Sequence, residues 1–230
     1  MIYTIHKEYS ENEYSVFIYI PNILDFELYD ELTSWLQQKH YKNGTGAKNK
    51  PIPRLQLWFQ ENENYFCKSW KTRLERWKSE PYERMIYKIQ GAIRKKLEEH
   101  DIKSILPSSS CIDTSFVMNS CLINYYRHGY DSIHPHRDCI DSFGIYPTIM
   151  GLSIGATRMM NINRVYFNNE NIKSCKRDPN QQGINMTFPL EDNSLFIMMG
   201  TSQKYYTHEI LKEPHIIEPR YSLTFRKYIE

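Results

Sequence analysis

The sequence lacks most of the features that would assign a class at once. None of its 230 residues belongs to a run approaching the ~18 consecutive apolar positions of a membrane-spanning helix, so no membrane association is expected. The opening MIYTIHKEYSENEY has no apolar core and no small-residue cleavage site, so no secretory leader is expected either. Five cysteines (Cys67, Cys111, Cys121, Cys139, Cys175) form an odd set without a Cys-x-x-Cys pair. That argues against a disulfide scaffold or a zinc finger, and for an intracellular reducing compartment, cytoplasm or nucleus. There is no internal repeat and no phosphate-cradling glycine loop. Net charge is scarce as well: 29 Lys+Arg against 27 Asp+Glu leave +2, so a basic surface would have to be local. A monomer is the expected state.

Aromatic side chains, by contrast, are plentiful. They make up 14% of the chain, with 18 tyrosines among them, which excludes a disordered polymer and suits half-buried β-structure. The N-terminal part mixes element types. YSVFIYI (14–20) predicts a strand, and Asp25 predicts the N-cap of a helix with Leu28, Leu32, Trp35 and Leu36 on one face. Residues 40–53 form a Gly-, Asn- and Lys-rich loop, followed by a short strand RLQLWF. Residues 68–99 predict helices interrupted at Pro81, the second having Pro81 near its first position and a stripe of Ile86, Ile89, Ile93 and Leu97. From about residue 113 the texture turns to strands: SFVMNSCLINYY, TIMGLSIGATRMMNI, NSLFIMM and RYSLTFRKY. A polar, turn-rich loop at 164–186 separates two of them. Many short strands with Gly, Asn and Pro between them indicate a sandwich or jelly roll. A soft boundary falls near residue 112, within one compact unit.

Chemistry concentrates in NYYRHGYDSIHPHRD, residues 124–138. Residues i and i+2 of an extended strand share a face, so His136 and Asp138 can meet on one metal, as a 2-His-1-carboxylate site for Fe(II) requires. His-x-Asp alone recurs by chance and also describes a solvated strand end. A third ligand has to be a downstream histidine, His208 or His215. His208 follows the buried-looking LFIMM and the turn at Gly200, whereas His215 sits in a charged loop after Pro214, so His208 is the better candidate. Arg220 and Arg226 then lie six apart on one face of RYSLTFRKY. Two arginines facing inward on an apolar strand require an anion, and a dicarboxylate would supply one.

The segments NSCLINYYRHGYDSIHPHRD, PTIMGLSIGATRMM, NSLFIMMGTSQKYYTH and EPRYSLTFRKY together resemble the AlkB family of Fe(II)/2-oxoglutarate-dependent dioxygenases, in order and in spacing. PIPRLQLWF resembles a further segment, from the family's N-terminal substrate lid. The resemblance implies a mainly β protein with α: a double-stranded β-helix core at 113–230 behind an N-terminal α/β extension, 1–112, that carries the lid. It implies that His136, Asp138 and His208 bind Fe(II), with O2 as co-substrate. Asn124, Tyr126 and Arg220 would hold 2-oxoglutarate, with Arg226 beside its metal-chelating carboxylate. Ser222 stands where the family usually has Asn, and takes that contact here. Arg54, Gln56, Trp58, Tyr65 and Phe66 would face the substrate. After the metal-binding Asp the family generally places acidic residues on the target base. Here the run is HRDCID, which leaves Asp141 for that role.

The implied activity is oxidative demethylation of alkylated bases in DNA or RNA. The loop KNGTGAKNK offers no aromatic wedge to open a duplex, so single strands are the expected substrate. The alternative is an oxygenase of the same barrel type that hydroxylates a protein side chain or a small molecule. A barrel that only binds nucleic acid is disfavoured, because every ligand position is filled.

Overall fold

In the computed structural model, which describes residues 1–8, 10–45, 51–61, 78–165 and 185–229, two antiparallel sheets face each other. The larger has the order β1-β2-β10-β7-β12-β5-β4-β3, with β1 Ile2–Lys7, β2 Tyr14–Ile20, β3 Lys42–Thr45, β4 Pro51–Gln60, β5 Ser120–Tyr126, β7 Ile149–Gly155, β10 Ser194–Gly200 and β12 Arg220–Arg226. The smaller has the order β6-β11-β8-β9, with β6 Ile133–His136, β8 Arg158–Arg164, β9 Met186–Leu190 and β11 Tyr206–Ile210. This is the expected double-stranded β-helix. The large sheet continues without a break across residue 112, since strands from before and after it pair as neighbours, β4 with β5 and β2 with β10.

The large sheet is covered on both faces, which explains why YSVFIYI has no polar side. Val16, Ile18 and Ile20 join a core with Leu32 and Leu36 of α1 (Phe26–Gln37) and Ile86, Ile89, Ile93 and Leu97 of α2 (Arg84–Glu99). Phe17 and Tyr19 point the other way, into the space between the sheets, with Ile162, Phe196 and Tyr206. β12 shows the same division with chemistry added. Tyr221, Leu223 and Phe225 face the helices, while Arg220, Ser222, Thr224 and Arg226 face the inter-sheet cavity.

Local signals explain most of the element ends. Asp25 caps α1, its Oδ1 accepting from Leu28 N at 2.9 Å. α2 begins at Arg84, three residues after Pro81; Glu83 stands at its N-cap position without a side-chain cap bond, its carboxylate being engaged instead by Lys39 and Trp35, which lock α2 to the end of α1, and a single turn, α3 (Ile102–Ile105), follows. The part of the expected helix at 68–77 and the loop at 166–184 lie outside the described residues.

The run TIMGLSIGATRMMNI is two strands, β7 and β8, in different sheets. Gly155 makes the corner at φ +94°, and a Cβ there would stand 2.5 Å from the Pro219 carbonyl oxygen. Gly155→Ala should therefore destabilise by about 1–3 kcal/mol, since a side chain is strained at that φ and meets backbone. Gly91, inside α2 with open space around it, should respond in the opposite sense, Gly91→Ala gaining about 0.5–1 kcal/mol. Thermal unfolding of the two variants beside the parent checks both signs.

Candidate active site

The metal ligands are assembled by the pairing of two short strands. β6 and β11 run antiparallel with His136 opposite His208, and a register shift between His208 and Ile210 follows. Such irregularities re-aim side chains beside functional sites. Asp138 lies two residues past the end of β6, where its backbone N–H donates to Gln203 Oε1 at 2.9 Å, on α5 (Ser202–Tyr205). His136 Nδ1 meets the His134 carbonyl at 2.9 Å, which leaves its Nε2 for the metal. Nε2 of His136 and Nε2 of His208 are each 3.9 Å from Asp138 Oδ1, and the three donor atoms lie within 4.8 Å of one another. His208 Nδ1 is buried with no hydrogen-bond partner among the described residues.

Charge at the triad is set by burial and by one arginine. Burial alone would raise the Asp138 carboxyl, but Arg226 and the two imidazoles outweigh it and hold the group below the usual carboxylate range. The Arg226 guanidinium donates through Nε to Asp138 Oδ2. His208 is pushed down to about 3 by burial and by the nearby His136 ring, with Asp138 opposing. Burial lowers His136 as well, again against Asp138. At neutral pH the set is two neutral imidazoles and one carboxylate, the protonation state that a divalent cation requires.

A second feature lies in the same cavity. Arg220 is 1% exposed; its Nη2 donates to Ser153 Oγ at 2.8 Å, while Nε and Nη1 have no partner among the described residues. Its Cζ stands 5.2 Å from the Tyr126 ring centroid, with Arg158 on the same ring at 5.7 Å. Burial draws Arg220 down to about 10, with Tyr126 opposing and Arg158 adding to the shift, so it remains charged. A buried cation with two unpartnered nitrogens is costly unless a ligand completes it, and a carboxylate matches that fork. Asn124 and Ser222 are cross-strand neighbours on the adjoining wall. The residues therefore fit a metal with a dicarboxylate: His136, Asp138 and His208 for one, Arg220 with Asn124, Ser222 and Tyr126 for the other. Arg226, expected beside the chelating carboxylate, lines the same cavity and donates through Nε to Asp138.

The cavity has a volume of about 320 Å³ and is open at one side, with Phe196, Met198, Leu190 and Ile210 as its apolar wall. Arg54 and Gln56 line it, as the alternation in β4 predicts. Two of the expected substrate residues do not. Trp58 is 3% exposed and makes an edge-type contact at 6.4 Å with Phe143 of α4 (Ile140–Phe143), so it is buried in packing and not open to stack on a base. Asp141 is exposed on α4, because the turn that buries Ser142 and Phe143 sends it outward, and Cys139 lines the cavity instead. Tyr65 and Phe66 lie outside the described residues. Gln203 and Ser153 were missed. Ser153 could have been found from the alternation of GLSIG, whereas nothing in SQKYY marks Gln203.

Two substitutions test these assignments. His208→Ala should abolish tight Fe(II) binding while His215→Ala leaves it intact, as measured by metal content after dialysis; the reverse result would reassign the third ligand. Arg220→Met should weaken 2-oxoglutarate by roughly tens- to thousands-fold, the cost of about 2–5 kcal/mol for stranding a charge-paired carboxylate. An unchanged titration would remove Arg220 from the site.

The 2OG-Fe(II) oxygenase superfamily matches residues 17–226. Human alpha-ketoglutarate-dependent dioxygenase alkB homolog 3 is 27% identical over 216 residues, 90% of this chain and 64% of that protein. The mouse protein of the same name is 35% identical over 120 residues, 50% of this chain and 38% of its own length. Human DNA oxidative demethylase ALKBH2 is 28% identical over 116 residues, 50% of this chain and 42% of its own length. The chain thus spans under two thirds of each of these relatives. Among solved structures, OsALKBH1 superposes with a TM-score of 0.61 at 13% identity, over 92% of this chain and 97% of that one. A Trichoplax adhaerens prolyl hydroxylase, in complex with a hypoxia inducible factor peptide fragment, gives 0.51 at 14% identity over 93% and 83%. At such identities these structures speak for the fold alone. A match running from within β2 to the last residue of β12 takes in every strand that builds the cavity, and the chain belongs to the 2OG-Fe(II) oxygenase superfamily.

Proposed function

We propose that the protein demethylates alkylated bases in DNA or RNA by oxidation, preferring single strands, as a monomer in a reducing intracellular compartment. The observation that carries the chemistry is the pair of unpartnered Arg220 nitrogens in the same cavity as the His136–Asp138–His208 donors. Support for a nucleic-acid substrate comes from the likeness to proteins named alkB homolog 3 and DNA oxidative demethylase. Fe(II) with 2-oxoglutarate and O2 supplies oxidation of a C–H bond, yielding succinate and CO2, and a hydroxylated N-methyl group falls apart to formaldehyde and the free base.

The side chains divide the work around that chemistry. His136, Asp138 and His208 would hold the metal, and Arg226 holds Oδ2 of Asp138. Arg220 would take the distal carboxylate of 2-oxoglutarate. The apolar wall of Phe196, Met198, Leu190 and Ile210 keeps water from the reacting carbon.

The strand preference rests on the sequence of residues 42–50, KNGTGAKNK, which has no aromatic side chain to fill the gap that a flipped base leaves in a duplex. With Trp58 buried in packing, the protein has still less with which to offset unstacking, which costs a few kcal/mol. One methylated oligonucleotide, assayed for formaldehyde alone and annealed to its complement, tests this. The single strand should react faster. Equal or faster reaction of the duplex would sink the preference. Succinate formation without formaldehyde from any methylated oligonucleotide would sink the nucleic-acid reading and move the protein to hydroxylation of a protein side chain or small molecule.

A further inference from the structure

The hydrogen-bond sense of the row Arg54–Asn124–Gln56 follows without a single observed proton. A guanidinium can only donate. Arg54 Nε lies 2.8 Å from one terminal atom of Asn124, so that atom has to be the amide oxygen, Oδ1. Gln56 reaches the same oxygen at 2.9 Å and must therefore present its nitrogen, Nε2. Gln56 is 5% exposed and Asn124 6%, so water does not readily take the place of either partner. With its oxygen held by two donors from β4, Asn124 has its NH2 left for the other side. There β12 supplies its cross-strand neighbour Ser222, and Arg220 lies two residues before it.

Arg54 has a second anchor. Its Nη1 donates to the Ser132 carbonyl at 3.2 Å, and Ser132 N donates to the Pro53 carbonyl at 2.9 Å. Ser132 directly precedes β6, the strand that carries His136. Arg54 Nε and Nη1 and Gln56 Nε2 are thus committed within the protein, whereas Gln56 Oε1 is buried without a partner among the described residues.

We propose that Arg54 and Gln56 are positioning residues for 2-oxoglutarate, holding Asn124 with its NH2 donor toward the cosubstrate. This rests on the assignment of the Asn124–Ser222–Arg220 wall to 2-oxoglutarate. Asparagine is nearly symmetric in shape, and without the two donors on β4 its amide is free to turn over. The turned amide offers an oxygen to a carboxylate, replacing attraction with repulsion. β4 then contributes to the cofactor site, besides walling the cavity on the substrate side.

The test uses Mn(II)-loaded protein, in which 2-oxoglutarate binds without turnover and calorimetric titration reads its affinity. Gln56→Met removes the donor at nearly constant volume. Gln56→Glu keeps the shape but offers Asn124 an acceptor, favouring the turned amide. Each should weaken 2-oxoglutarate about tenfold, the loss of one hydrogen bond to a charged group. Mn(II) affinity and unfolding temperature should stay near the parent values. Gln56→Met combined with Asn124→Ala should bind no more weakly than Asn124→Ala alone, because the first acts through the second. If Gln56→Met fails to fold, Gln56→Glu and Arg54→Lys carry the same comparison. Parent-like affinity in the folded variants, or additive losses in the double variant, overturns the proposal. So does intact 2-oxoglutarate affinity with weakened binding of a methylated oligonucleotide, which would make these residues substrate contacts. Failure of the parent itself to bind 2-oxoglutarate would overturn the cofactor assignment, and this proposal with it.

Discussion

The ion pair between Asp138 and Arg226 is the point at which the two sheets become one site. Asp138 leaves the end of β6 in the small sheet, and Arg226 closes β12 at the centre of the large one. Neither charge is tolerable alone at 8% and 4% exposure. Removing one partner of a buried pair typically costs about 3–5 kcal/mol because the other is stranded. The pair therefore constrains how the sheets face each other, and it decides which Asp138 oxygen meets the histidines. Oδ2 is taken by the guanidinium, so Oδ1 is the oxygen 3.9 Å from both imidazoles. Metal binding then uses a carboxylate already ionised and already aimed.

What could be seen in the sequence was whatever obeys a short period. The alternation in RYSLTFRKY put Arg220, Ser222 and Arg226 on one face, and that face is the cavity wall. The helical spacing of Ile86, Ile89, Ile93 and Leu97 and the cap at Asp25 were equally local and equally visible. β1 escaped notice because it is an edge strand, and MIYTIHK lacks the clean alternation of a half-buried one. The short β6 and β11 have too few residues to show a period, yet their register brings His136 opposite His208. Their meeting is a long-range fact that only the order of the whole motif set could suggest.

The two expected substrate residues that do not line the cavity have a shared cause. Trp58 and Asp141 both depend on α4, a four-residue helix between Asp138 and β7. Alternation in β4 correctly turned Trp58 away from the helices, but it could not show that Phe143 would be waiting there. Position after the metal ligand suggested Asp141 for the base, but a helical turn rotates successive residues by about 100°. Cys139 thus faces the cavity and Asp141 faces solvent. Sequence distance is a poor guide where strand geometry gives way to a single helical turn.

Three buried arginines show how a binding group differs from a structural one. Arg158, 1% exposed, donates to Glu213 and to the carbonyls of His128, Gly129, Asp131 and Leu211, and its hydrogen-bonding needs are met by the protein. It ties the loop after β5 to the segment after β11. Arg226 donates to the Asp138 carboxylate and to the Thr224 carbonyl, and lends its charge to a metal ligand. Arg220, as deeply buried, has one hydroxyl partner and two idle nitrogens. All three are arginines on strands of the same barrel, and no pattern of spacing separates them. The difference lies in the count of unmade hydrogen bonds, because a fold retains a buried cation with idle donors only where a ligand completes what the protein leaves undone.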